Sequence, residues 1–245
     1  MKISRFCFLL LLVCGFFASC SNNNVLKVIV VTGERSIDAE AFFAMFEAFE
    51  GITYEELQHP EVRDLMGTEK MPQFDAIVFY DMPANIELTP VQKENFRSFF
   101  SSGVPVVFLH HSILSYQSWD EFQNIIGGKY FEKETEVNGE MIISGYKHDV
   151  NYVVEIADKA HPVTRNISDF EIFDEVYSNY VVNQNVTPLL YTSHPESGRI
   201  IAWVNPYGNS DIVYIMSGHG DNAFNNTNYS ELLLNAIHWV AQKHN

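Results

Sequence analysis

Cysteine is almost missing from this chain. Cys7, Cys14 and Cys20 are the only three, and all fall within the first twenty residues. The rest of the sequence therefore has no disulfide, no zinc-thiolate site and no cysteine nucleophile. Positive charge is also scarce, with 15 Lys and Arg against 31 Asp and Glu and a net charge of −16. Such a surface repels nucleic-acid phosphates and offers no basic face to anionic lipid, so no nucleic-acid partner is expected. Internal repeats, low-complexity tracts and a second linker are absent as well, and an aromatic content of 14% argues against disorder.

What is present begins with Lys2 and Arg5, an apolar run from Phe6 to Phe17, and Ala18-Ser19 ahead of Cys20. This is the pattern of a secretory signal, too short and too early for a spanning helix. Phe17-Ala18-Ser19-Cys20 resembles a bacterial lipobox, with Phe17 where Leu is usual, in which cleavage precedes the cysteine and its thiol is lipidated. The expectation is a signal peptide over residues 1–19, then a lipidated Cys20 and polar tether over 20–25. The lipid alone would hold the chain to the bacterial cell envelope, facing the periplasm or at the outer membrane. Loss of Lys2 and Arg5 with the leader would carry the net charge from −16 to −18. Residues 26–245 suit one domain with a sizeable core.

Leu26–Val31, Ala76–Tyr80 and Val104–Leu109 read as buried strands, and Ile52–Leu57 as a further one. Phe42, Phe43, Phe46 and Phe49 give the stretch from Asp38 to Phe49 one aromatic helical face. Thr89, Pro90 and Gln92 form a capping box with proline at the first helical position, and Gly103 marks that helix's end. Trp119–Ile126 reads as a short helix. Strands follow at Tyr152–Ile156, Pro188–Tyr191, Ile200–Val204 and Ile212–Met216. A closing helix runs from Tyr229 to Lys243, with Asn228 as its cap and Glu231 three residues on. Strand, helix, strand with short joints predicts an α/β fold, a mostly parallel sheet with helices on both faces and some antiparallel additions.

Polar groups interrupt this pattern where strands end: Gly33-Glu34-Arg35, Tyr80-Asp81, His110-His111 and Ser217-Gly218-His219. Ligands of open α/β sheets bind at that edge. Phe173-Asp174-Glu175-Val176-Tyr177 adds carboxylates within an apolar stretch. Imidazoles with a carboxylate suit a divalent metal or a proton-transfer site. His110 and His111 are neighbours, so both reach one pocket only if the strand ends at His110. Asp174 and Glu175 should likewise diverge, with Glu175 favoured for the pocket and Tyr177 beside it. His148, beside Asp149, either lines the cleft or sits in solvent.

In order along the chain, LHHSILSYQSWDEFQNIIGGKY (Leu109–Tyr130), AHPVT (Ala160–Thr164), FEIFDEVY (Phe170–Tyr177), AWVNPYG (Ala202–Gly208), SGHG (Ser217–Gly220) and LLLNAIHWVA (Leu232–Ala241) resemble the ThuA-like, trehalose-utilisation proteins. The resemblance implies the flavodoxin-like fold of class I glutamine amidotransferases. An amidotransferase carries its nucleophilic cysteine where His110 stands, so the glutaminase reaction is not expected. Many relatives have Gly-x-x-His in the first loop, where this chain reads Gly33-Glu34-Arg35-Ser36.

The resemblance implies a role in carbohydrate utilisation on a disaccharide or keto-sugar derivative. His110, His219 and Glu175 are the expected catalytic groups and the candidate ligands for a divalent metal such as zinc. His111, Tyr177, Asp81, Tyr116 and Trp119 are the expected substrate contacts, the last two either as a stacking surface for a small carbohydrate ligand or as packing beneath the loop. Hydrolase and isomerase chemistry are both open on these residues. The alternative is a non-catalytic sugar-binding lipoprotein of the same fold.

Overall fold

The uninterrupted apolar runs AIVF and VVFL form strands buried at every position, as expected for the middle of a parallel sheet covered on both faces. The computed structural model describes residues 25–34 and 37–242. The expected signal peptide, Cys20 with most of the expected tether, and Arg35 of the first loop lie outside those residues. The chain begins β1 (Leu26–Thr32), α1 (Ala39–Glu47), β2 (Ile52–Gln58), α2 (Glu61–Leu65), β3 (Ala76–Phe79), α3 (Pro90–Ser101) and β4 (Val106–Leu109). After a 3-10 turn at His110–Leu114 come α4 (Glu121–Ile126), β5 (Gly128–Lys129), β6 (Thr135–Val137), β7 (Glu140–Ile142), β8 (Gly145–Ile156) and β9 (Phe170–Ser178). The chain closes with β10 (Val181–Val182), β11 (Thr187–Tyr191), β12 (Ile200–Tyr207), β13 (Ser210–Ile215), α5 (Asp221–Phe224) and α6 (Thr227–Gln242).

The main sheet has nine strands in the order β2-β1-β3-β4-β13-β12-β11-β8-β9. From β2 to β13 every neighbouring pair is parallel. That half has the 2-1-3-4-5 order of flavodoxin-like folds. The strands from β12 to β9 extend the sheet in antiparallel fashion. The carboxyl ends of β1, β3, β4 and β13 consequently share one rim, which carries Gly33, Asp81, His110 and His219.

Helix α3 starts as its capping box predicts: the Gln92 N–H donates to Thr89 Oγ1 and the Thr89 N–H to Gln92 Oε1. Helix α6 starts earlier than expected. Its first turn is capped by Asn226, whose side-chain oxygen accepts from the Asn228 and Tyr229 N–H groups, so Asn228 is already inside the helix. Lys243, its expected end, lies outside the described residues. Among the described residues, no helix is long and apolar enough to cross a membrane.

β9 has no clear strand signature in the sequence, because its alternation is broken by the adjacent buried acids Asp174 and Glu175. It pairs antiparallel with β8, whose register shifts between Lys147 and Val150. His148 and Asp149 occupy that irregularity, and Asp149 has φ of 58°. Such bulges re-aim side chains next to functional sites.

Candidate active site

β4 ends at Leu109, and His110 adopts φ of 42°, a left-handed conformation that a residue with a Cβ rarely takes. The chain then coils into the 3-10 turn, which lets both His110 and His111 face His219: their rings lie 5.2 and 5.4 Å from that of His219. The strained turn is fixed from below, since Ser112 Oγ donates to the carbonyls of Phe79 and Asp81 and the Tyr214 hydroxyl to that of His110.

His110 is fully buried, and its Nδ1 donates to the carbonyl of Met216. This bond places a hydrogen on Nδ1 and leaves Nε2 facing the rest of the cluster. Around Nε2 stand the Tyr177 hydroxyl at 2.9 Å, Glu175 Oε1 at 3.2 Å and His219 Nδ1 at 3.2 Å. The Tyr177 ring stacks on His110 with centroids 4.8 Å apart. Burial and the neighbouring Glu175 charge keep the Tyr177 phenol neutral, well above its ordinary pKa.

The two acids of β9 diverge, as adjacent strand residues must. Asp174 accepts the backbone N–H groups of Gly218 at 2.6 Å and His219 at 2.9 Å. Burial raises its carboxyl pKa, against the His110 charge and those backbone donors. Glu175 turns to the imidazoles: His148 Nδ1 lies 2.6 Å and His219 Nδ1 3.6 Å from its Oε2. Burial pushes this carboxyl up too, but its hydrogen bond to His110 and the charges of His110, His219 and His148 prevail and hold it below the usual range.

Gly218, at φ of 116°, turns His219 to the rim, and a Cβ there would collide with the Tyr229 hydroxyl. Tyr80 holds the other side of this turn, its hydroxyl donating to the Gly218 and His219 carbonyls at 2.8 and 3.1 Å.

Two clefts reach this cluster, and Glu175 lines both. One, of about 360 Å³, is walled by Met82, Leu114, Tyr130, Glu132, Ser144, Tyr146 and Tyr177. The other, of about 130 Å³, is lined by His148, Asp149, Asp174, His219, Asp221 and Asn222 among others. Among the described residues, two sets of side chains bring potential metal-ligating atoms within 4.8 Å of one another: His110, His111 and His219, and His148, Glu175 and His219.

Three expected substrate contacts lie elsewhere. Tyr116 and Trp119 are only 3 and 6% exposed and pack edge-on against Phe96, beneath the loop, so neither offers a stacking face. Asp81 is buried 2.9 Å from His59 Nδ1, and His59 Nε2 meets the Tyr116 hydroxyl at 2.8 Å. That Asp81–His59–Tyr116 chain braces the rim instead of lining a cleft. The aromatic wall comes from Tyr130, Tyr146 and Tyr177, of which only Tyr177 is among the substrate contacts expected from the sequence. His148 also belongs to the site; its position beside Asp149 hinted at this, but the bulge that turns it inward depends on pairing with β9.

The family model described as trehalose utilisation matches residues 27–240. Among solved structures, a protein from Parabacteroides merdae described as ThuA-like superposes with a TM-score of 0.71 at 19% identity, covering 89% of this chain and 90% of that one. A GMP synthase-like protein from Thermoplasma acidophilum superposes at 0.57 with 9% identity, covering 89% and 96%. A glutamine amidotransferase from Thermotoga maritima gives 0.53 with 10% identity, covering 89% and 99%. At such identities these likenesses establish the α/β fold alone. No curated protein matches the sequence.

Proposed function

Because the chain belongs to the ThuA, trehalose utilisation, family, we propose that it is an enzyme acting on a small carbohydrate, a disaccharide or its keto derivative, at the Glu175 cluster. The observation that carries this reading is a carboxylate held anionic among His110, His148 and His219 while it lines both clefts. Hydrolysis or isomerisation of a sugar needs charge and proton control at one oxygen, or at a carbon beside a carbonyl. Imidazoles around a carboxylate supply that control by holding a proton or a cation there. The larger cleft fits the substrate class: Tyr130, Tyr146 and Tyr177 give apolar ring faces, and Glu132 and Ser144 give hydrogen-bonding groups for hydroxyls.

The roles then divide by exposure. Glu175 and His219 face the clefts and meet the sugar. His110 is buried behind them and with Tyr177 keeps Glu175 in place. Glutaminase chemistry has no nucleophile here, since the turn after β4 carries His110 where a thiol would be needed. The envelope anchor through Cys20 remains part of the proposal and rests on Phe17-Ala18-Ser19-Cys20. Intact mass of the membrane-extracted protein tests it, by a diacylglycerol or triacyl increment on a chain beginning at Cys20.

The functional test is incubation of the purified protein with trehalose, other disaccharides and their keto derivatives, read by NMR. Conversion of one of them supports the proposal. Saturable binding without conversion assigns the non-catalytic sugar-binding role instead, and neither binding nor conversion overturns the carbohydrate reading.

A further inference from the structure

We propose that His148, Glu175 and His219 form a binding site for a divalent transition-metal ion, open toward the smaller cleft. The inference deepens the carbohydrate reading, on which its role in catalysis rests, while the ion's presence is measurable independently of any sugar.

Four observations carry it. The ligand atoms, two imidazole nitrogens and a carboxylate oxygen, lie within 4.8 Å of one another. Ligand atoms around tetrahedral zinc stand about 3.3 Å apart, so small side-chain rotations close this set on an ion. Second, Glu175 is only 3% exposed, and among the described residues its Oε2 has imidazole nitrogens at 2.6 and 3.6 Å but no well-directed hydrogen bond. A metal ion would give that buried oxygen the directed partner it lacks.

Third, the surrounding groups hold the ligands in place as outer-shell groups do around metals. His110 Nε2 fixes the other Glu175 oxygen at 3.2 Å, and Asp174 fixes the His219 backbone. Fourth, the β8 irregularity at His148 and Asp149 turns His148 across to Glu175, at the cost of a left-handed Asp149.

The three-imidazole set of His110, His111 and His219 is the competitor, and it fits less well. His110 and His111 are 0 and 2% exposed, and His110 Nε2 already has the Tyr177 hydroxyl at 2.9 Å and Glu175 Oε1 at 3.2 Å. An ion there would have no open position for a ligand. The outer set instead lines a cleft of about 130 Å³ together with Asp149 and Asp221, which add negative potential. Two imidazoles and one carboxylate suit zinc and its first-row neighbours, and a bound ion would polarise a sugar oxygen entering the cleft.

The test is zinc titration of the chelator-treated protein by calorimetry, with wild type, His148→Ala and His111→Gln compared after circular dichroism confirms folding. Cobalt absorption provides a second readout of the same site. The expected result is one ion per chain, a Kd raised about 100-fold or more in His148→Ala, and a Kd changed less than threefold in His111→Gln. If His111→Gln does not fold, the cobalt spectrum decides: ligand-field bands in the wild type that vanish in His148→Ala support the site. Absence of zinc binding, retention of wild-type affinity in His148→Ala, or loss of affinity in folded His111→Gln overturns it. Sugar binding by a protein that takes no zinc would overturn the metal site and leave the carbohydrate reading standing.

Discussion

His110 gives its Nδ1 hydrogen to the carbonyl of Met216, and that bond fixes where its other nitrogen points. Nε2 meets the Tyr177 hydroxyl at 2.9 Å inside a fully buried stack. Replacing Tyr177 by Phe keeps the ring and deletes the hydroxyl. Loss of a buried hydrogen bond of this kind costs about 1–3 kcal/mol. The expected result is a lower urea midpoint with an unchanged m-value.

Gly218→Ala tests the turn that presents His219. A side chain there meets both the positive φ of 116° and the Tyr229 hydroxyl. The backbone term alone is about 1–3 kcal/mol. The variant should unfold at clearly lower denaturant, and a wild-type midpoint would contradict the close approach.

Thr89→Ala should cost about 1 kcal/mol through loss of the side-chain cap on α3. Chemical denaturation of the variant beside wild type measures it.

That cap was legible because its residues lie within a few positions of one another. So were β1, β3 and β4, whose apolar runs require burial on both faces. The rim was legible for the same local reason: polar residues follow abruptly on apolar strands at Asp81, His110 and Ser217. The antiparallel half was read less well. β9 carries Asp174 and Glu175 side by side, and only its pairing with β8 and its contacts with His110, Gly218 and His219 explain two buried acids there. His148 depends on a break in that same pairing. Tyr116 and Trp119 show the converse limit: closeness in sequence to a site leaves both a stacking surface and packing beneath the loop open, and it is Phe96 and Phe122 that place them in the core.

His238, on α6, gives a pH prediction. Burial lowers its pKa below the ordinary histidine value. The native state therefore favours the neutral ring, and the unfolded chain binds its proton first as pH falls. The stability linked to this group is present above pH ~6.5 and is lost as pH drops through the lower native pKa. His238→Gln should show a smaller fall in Tm between pH 7 and pH 5 than wild type. An identical fall in both proteins would contradict the assignment.

The central claim is that Glu175 governs chemistry on a carbohydrate in the cleft. The most direct measurement is the kcat and KM of wild type and Glu175→Gln on whichever disaccharide or keto-disaccharide the wild type converts. The amide keeps the shape of the side chain and removes its charge. A kcat reduced about 10²- to 10⁴-fold, with KM changed by no more than about threefold, is the predicted result. Wild-type kcat in the variant would contradict the account.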